Sequence, residues 1–226
     1  MSAVADNLRA VMDSIEAAAK RSGRDAGNVR LVVVSKTVAA DVVNEAVAAG
    51  AKILGENRVQ EALPKMEAVG AGVAWHLIGT LQKNKAKHAV GAFELIHSLD
   101  GIELARELAR QAVKRGIVQD ALIEVNVAGE STKHGVGPDA AMSLAREAAA
   151  LSGLRITGLM CIPPFTENPE DSRPYFRRLK GLLKELNDAG FPMSELSMGM
   201  TQDYEVAVEE GATLVRVGTA IFGHRG

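Results

Sequence analysis

Short apolar, β-branched runs and amphipathic stretches follow one another in alternation from one end of the chain to the other. A strand can reach a parallel neighbour only through a crossover element, so this alternation dictates a parallel sheet wrapped in helices. After an amphipathic helix over 3–21, where Val4, Leu8, Val11 and Ile15 recur at helical spacing, the run Arg30-Leu31-Val32-Val33-Val34-Ser35-Lys36-Thr37 reads as a strand buried on both faces. Further strands are expected at 52–54, 74–78, 94–97, 120–127, 156–160, 195–197 and 213–217. The helices between them are expected at 40–49, 58–69, 83–90, 102–115, 139–151, 172–189 and 203–210. Eight strands separated by helices favour closure into a single (β/α)8 TIM barrel with an extra N-terminal helix. At 226 residues, that leaves about 28 per unit, so the loops must be short. A doubly wound open sheet is the structural alternative. Neither a linker nor a shift in composition divides the chain, so residues 1–226 are expected to form one domain.

Composition narrows the class of function. With 26 Lys+Arg against 28 Asp+Glu the net charge is −2, which offers no general basic field for nucleic acid or an anionic membrane. The single cysteine, Cys161, excludes an internal disulfide, and Asp6, Arg9, Asp13 and Glu16 interrupt any signal-peptide stretch at the N-terminus. A cytoplasmic protein without a membrane span is expected. The five histidines lack metal-ligand spacing, so no metal site is expected. The basic run Lys83 to His88 reads as a solvated helix face, and Gly129 to Gly135 fails the P-loop spacing. Met160, Met193, Met198 and Met200 read as packing residues, and Cys161 as an inert buried thiol.

In such a barrel chemistry sits at the C-terminal strand ends. Those ends offer Lys36, Gly55-Glu56-Asn57, His76 to Thr80, His97-Ser98, Asn126, Cys161, Ser197 to Thr201, and Arg216 to Thr219. A lysine after three valines would have its amine partly desolvated, which suits a Schiff base, although taken alone a solvated strand-end lysine is the more ordinary reading. Gly218 and Thr219 at a short helix start can present N–H groups to a phosphate, with Ser197 and Thr201 as hydroxyl donors, or can be plain capping chemistry. Together they suit the two ends of a pyridoxal phosphate site.

The segments Val33 to Thr37, Leu54 to Asn57 and Trp75 to Lys85 resemble the pyridoxal phosphate homeostasis protein family, whose barrel is related to the N-terminal domain of alanine racemase. Val125-Asn126 with Gly129 to Ser131, Gly158 to Met160, Ser197 to Thr201 and Arg216 to Gly223 extend the resemblance over nearly the whole chain. The resemblance implies pyridoxal 5'-phosphate held on Lys36, with Asn57 close by and Arg216 facing the pyridine nitrogen. It places Ser197, Thr201, Gly218 and Thr219 at the phosphate, and His76 and Met198, within its two most specific motifs, at the cofactor site. Where the family often has Ser, this chain has Thr201, which retains the hydroxyl. An arginine at the pyridine nitrogen donates without protonating it, so carbanions gain little stabilisation. No clear second acid–base group is found, since Tyr175 and Tyr204, the only tyrosines, lie on helices. The expected role is therefore a monomeric carrier and regulator of the cofactor, meeting enzymes that donate or accept it. A weak amino-acid racemase and a Schiff-base enzyme acting on a phosphorylated sugar are the alternatives.

Overall fold

The computed structural model describes residues 2–130 and 134–223. Eight strands close in sequence order into one parallel barrel: β1 (Arg30–Val34), β2 (Ile53–Glu56), β3 (Ala74–Leu77), β4 (Leu95–Leu99), β5 (Gln119–Glu124), β6 (Leu154–Met160), β7 (Glu195–Ser197) and β8 (Leu214–Val217). The seam is made by β1 pairing with β8, Val32 beside Arg216 and Val33 beside Val217. The open-sheet alternative is thereby excluded.

Nine α-helices accompany the strands among the described residues: α1 (Ala3–Arg21), α2 (Ala40–Ala48), α3 (Val59–Val69), α4 (Ala86–Ala89), α5 (Ile102–Lys114), α6 (Pro138–Ala149), α7 (Arg173–Asp188), α8 (Tyr204–Glu210) and α9 (Thr219–Phe222). Most form where periodicity places them. In α7, Phe176, Leu179, Leu183 and Leu186 turn one stripe onto the sheet while charged residues take the other face. The region 83–90 departs from expectation, for it is a 3-10 turn (Lys83–Lys85) followed by the single turn α4. Only Ala86 and Ala89 are buried in α4, too little apolar surface to hold a longer helix.

Alternation along the strands creates two cores. Val33, Leu54, Ile96, Ile123, Leu159, Val215 and Val217 face the helices. Val32, Ile53, Leu95, Leu122, Met160 and Leu214 fill the barrel interior. The buried residues His76, His97, Glu124, Ser197 and Arg216 bring polar side chains into the interior.

Helix α1 lies outside the seam. Ser2 caps its start by accepting from the Ala5 N–H. Beyond its end, Arg24 donates to the carbonyls of Val208 and Ala212, and Arg21 bridges Glu205 and Glu209 on α8. Asn7 Nδ2 donates to the Ile221 carbonyl at 3.0 Å, fastening α9 to α1. No helix among the described residues is long and apolar enough to cross a membrane.

Candidate functional site

A cavity of about 730 Å³ opens at the C-terminal mouth of the barrel, where this architecture places its chemistry. Lys36, Asn57, Thr201, Arg216, Gly218 and Thr219 all line it, brought together from the ends of β1, β2, β7 and β8.

Lys36 stands two residues beyond β1. Strand pairing runs on to Ser35, whose N–H donates to the Gly55 carbonyl at 3.0 Å, and a turn then closes with Val38 N–H donating to Ser35 O. Thr37 occupies the turn with φ +60°, an uncommon conformation for a β-branched residue and a local store of strain. This turn is why the strand ends at Val34 instead of running to Thr37. Beneath it, Lys65 Nζ donates to Ser35 O at 2.7 Å and to Glu56 Oε1 at 2.6 Å, and Ser35 Oγ donates to the same carboxylate oxygen at 2.8 Å. Glu56 is wholly buried. The base of the Lys36 turn is thus tied to β2 and α3, while Lys36 itself remains half-buried at the cavity.

Across the seam, α9 begins at Thr219. Its first internal hydrogen bond is Ile221 N–H to Gly218 O, so the N–H groups of Thr219 and Ala220 have no acceptor inside the helix. A Cβ on Gly218 would lie 3.0 Å from the Val34 carbonyl oxygen. Glycine here lets the start of α9 approach the strand that carries Lys36. The neighbouring turn after β7 carries Thr201, and Asp203 fixes it by accepting from Met200 N–H at 2.7 Å. Gly199 enters that turn at φ +90°, with its Cβ position 2.5 Å from Ala207 Cβ, which leaves room for no side chain.

Arg216 is buried beneath this wall and donates to Ser197 Oγ and, at 2.9 Å, to the Cys161 carbonyl. Burial lowers its pKa, yet a guanidinium stays charged throughout the ordinary pH range. Ser197 Oγ lies 2.9 Å from His97 Nδ1, and His97 Nε2 lies 2.9 Å from His76 Nδ1. Because arginine can only donate, a consistent chain runs Arg216 to Ser197, Ser197 to His97 Nδ1, and His97 Nε2–H to His76 Nδ1. The His76 Nε2 atom then carries a hydrogen but has no hydrogen-bond partner; Glu94 Oε1 is 3.9 Å away. Burial, assisted by the positive charge of Arg30, lowers the His76 pKa to about 3. Burial also holds His97 well below its usual value, and His76, Arg216 and Arg30 push the same way. Both rings are neutral at neutral pH.

Three residues expected at the cofactor therefore lie elsewhere than in the cavity wall. Ser197 spends its hydroxyl between Arg216 and His97, His76 ends the chain inside the barrel, and Met198 is packed in the outer core. In this structure the Ser197 Oγ touches the arginine and His97. Asn126 is likewise occupied, its amide bridging Gly129 and Glu130 in the following loop.

Sequence reasoning passed over Glu124, the last residue of β5, which lines the cavity at 6 % exposure. Desolvation, and the neighbouring Asp100 charge, raise its pKa. Ile162, Phe165 and Met200 form an apolar rim, Phe165 being the most exposed large apolar residue described. Lys83 of the basic run pairs with Glu103, in keeping with a solvated face. Cys161 is buried, as are Met160, Met193 and Met198. Among the described residues no cluster suits a metal ion. Ser131, Lys133 and His224 lie outside the described residues.

Comparison with known proteins agrees with this fold. The family described as alanine racemase, N-terminal domain, matches residues 6–226. The chain is 49 % identical over 222 residues to the pyridoxal phosphate homeostasis protein of Aquifex aeolicus, covering 97 % of each. It superposes with TM-score 0.85 and 34 % identity on PipY of Synechococcus elongatus, solved with PLP bound, covering 97 % of this chain and all of that one. An alanine racemase of Clostridium difficile shares the fold at TM-score 0.77 and 15 % identity; 97 % of this chain is covered but only 57 % of the racemase. On the full-length identity and the matched family, the chain belongs to the pyridoxal phosphate homeostasis proteins, built on the alanine racemase N-terminal-domain barrel.

Proposed function

We propose that the cavity holds pyridoxal 5'-phosphate, attached covalently through the Lys36 amine, and that the protein serves vitamin B6 homeostasis and amino-acid balance as a carrier and regulator instead of an efficient catalyst. In this reading residues 1–226 act as one unit, as a monomer in the cytoplasm, exchanging the cofactor with donor and acceptor enzymes at the barrel mouth. The observation that carries it is the convergence of Lys36, Thr201, Arg216 and the start of α9 on one cavity.

The donor set fits the cofactor. Two N–H groups at Thr219 and Ala220, with the Thr201 and Thr219 hydroxyls, suit a phosphate dianion. When bound, the group supplies an electrophilic carbon to which an amine can be joined. Lys36 positions that amine on the far side of the seam, its turn held by the Ser35–Glu56–Lys65 contacts. Arg216 offers only donors, fixed by Ser197 and the Cys161 carbonyl, and so gives no proton to a ring nitrogen. Weak carbanion stabilisation follows, which supports holding and release over turnover.

The purified protein should show a near-ultraviolet or visible band beyond the aromatic region that disappears on borohydride treatment, with the adduct mapping to Lys36. Lys36→Ala should lose the adduct while keeping the wild-type fold. A colourless protein that stays unmodified after incubation with pyridoxal phosphate would sink the proposal.

A further inference from the structure

Glu124 and Lys36 stand on opposite walls of one cavity. In a closed ring of eight strands, β5 faces β1 across the mouth, so the ends of these strands are as far apart as the opening allows. The β1 and β8 side presents Lys36, unpaired N–H groups of α9 and the buried Arg216, a wall for anions. The β5 side presents a carboxyl group that is more than nine-tenths buried, lines the cavity and makes no side-chain hydrogen bond among the described residues. His134, which lines the same cavity, and Arg216 attract it without pairing with it among the described contacts, and both of that arginine's described bonds go elsewhere. Asn126 cannot serve it, being committed to its own loop. A buried carboxylate without a partner is unfavourable unless a cation or a donor completes it.

We infer that the Glu124 wall is a second subsite, which takes the ammonium group of a small primary amine and disfavours amino acids, whose carboxylate would meet the Glu124 charge. At about 730 Å³ the cavity falls well inside the roughly 300–1,000 Å³ of pockets that enclose drug-sized ligands. It therefore has room for a small amine beside a bound cofactor. The inference deepens the proposed function by giving the class of molecule that shares the cavity, but the subsite itself is made only of this chain's residues.

Titration calorimetry with butylamine tests it, on cofactor-free protein and on protein whose bound pyridoxal phosphate has been fixed by borohydride. Saturable binding to both forms is expected, with alanine at least tenfold weaker than butylamine. Glu124→Gln, which preserves shape and removes a buried charge, should weaken butylamine at least tenfold and reduce its preference over alanine. Butanol, which lacks the charge, should not bind. Absence of saturable butylamine binding to wild-type protein, or equal affinity of wild type and Glu124→Gln, would overturn the inference. Should Glu124→Gln fail to fold, a wild-type affinity for butanol equal to that for butylamine would overturn it as well. Amine binding that depends on Glu124 in a protein that takes up no cofactor would refute the proposed function and leave this inference standing.

Discussion

Stability should fall steeply as pH drops from 7 to 5, because two histidines are buried neutral inside the barrel. His76 titrates near 3 in the folded protein against 6.5 when exposed, and His97 is shifted in the same direction. Between these values the unfolded chain binds protons that the folded chain refuses, so folding stability is complete above about 6.5 and is lost as pH falls. Each unit of pH below 6.5 costs about 1.4 kcal/mol for His76, hence about 2 kcal/mol at pH 5, and His97 adds to the loss in the same direction. Against a total of roughly 5–15 kcal/mol that is a large fraction. Urea unfolding followed by far-ultraviolet circular dichroism at pH 7, 6 and 5 should show the midpoint moving down by about 1 M or more. Glu124 and Asp100, whose pKa values are raised by burial, oppose this trend modestly. Comparison with the double variant His76→Asn/His97→Asn cancels that opposition, and its slope between pH 7 and 5 should be nearly flat. A wild-type midpoint that stays fixed over this range, or a double variant with the wild-type slope, would refute a neutral buried pair.

Two further perturbations test the support beneath Lys36. Lys65→Met leaves Glu56 buried without its cation and should cost about 3–5 kcal/mol in urea unfolding; a loss below about 1 kcal/mol would mean that the pair behaves as a surface contact. Thr37→Gly relieves a positive φ on a β-branched residue and should stabilise by about 1 kcal/mol, read as a rise in melting temperature of a few degrees. An unchanged or lower melting temperature would show that the turn is not strained.

The fold was legible because alternating strands and helices of this length have few closed solutions, and the seam pairing of β1 with β8 is the one that removes sheet edges. The short α4 was not legible, since Lys83 to Val90 contains good helix formers and only packing shows how little of them is buried. At the site, strand ends could be found by position, which is how Lys36, Asn57, Thr201, Arg216, Gly218 and Thr219 were singled out. What position does not reveal is which way a strand-end side chain points. Ser197 and His76 lie on inward-facing strand positions below the mouth, where Arg216 and His97 use them. Glu124 was hidden because the fifth strand was expected to run on to 127, whereas it ends at Glu124, and the following Asn126 is engaged by the next loop.

The seam has a consequence for biosynthesis. Lys36 follows the first strand, whereas Arg216, Gly218 and Thr219 belong to the last strand and the turn after it. A nascent chain can fold its early βα units while it emerges, yet the site is half-built until the eighth strand leaves the ribosome and docks beside the first. On the proposed site, cofactor capture waits for β8 to close the ring, and its onset during synthesis would report ring closure directly.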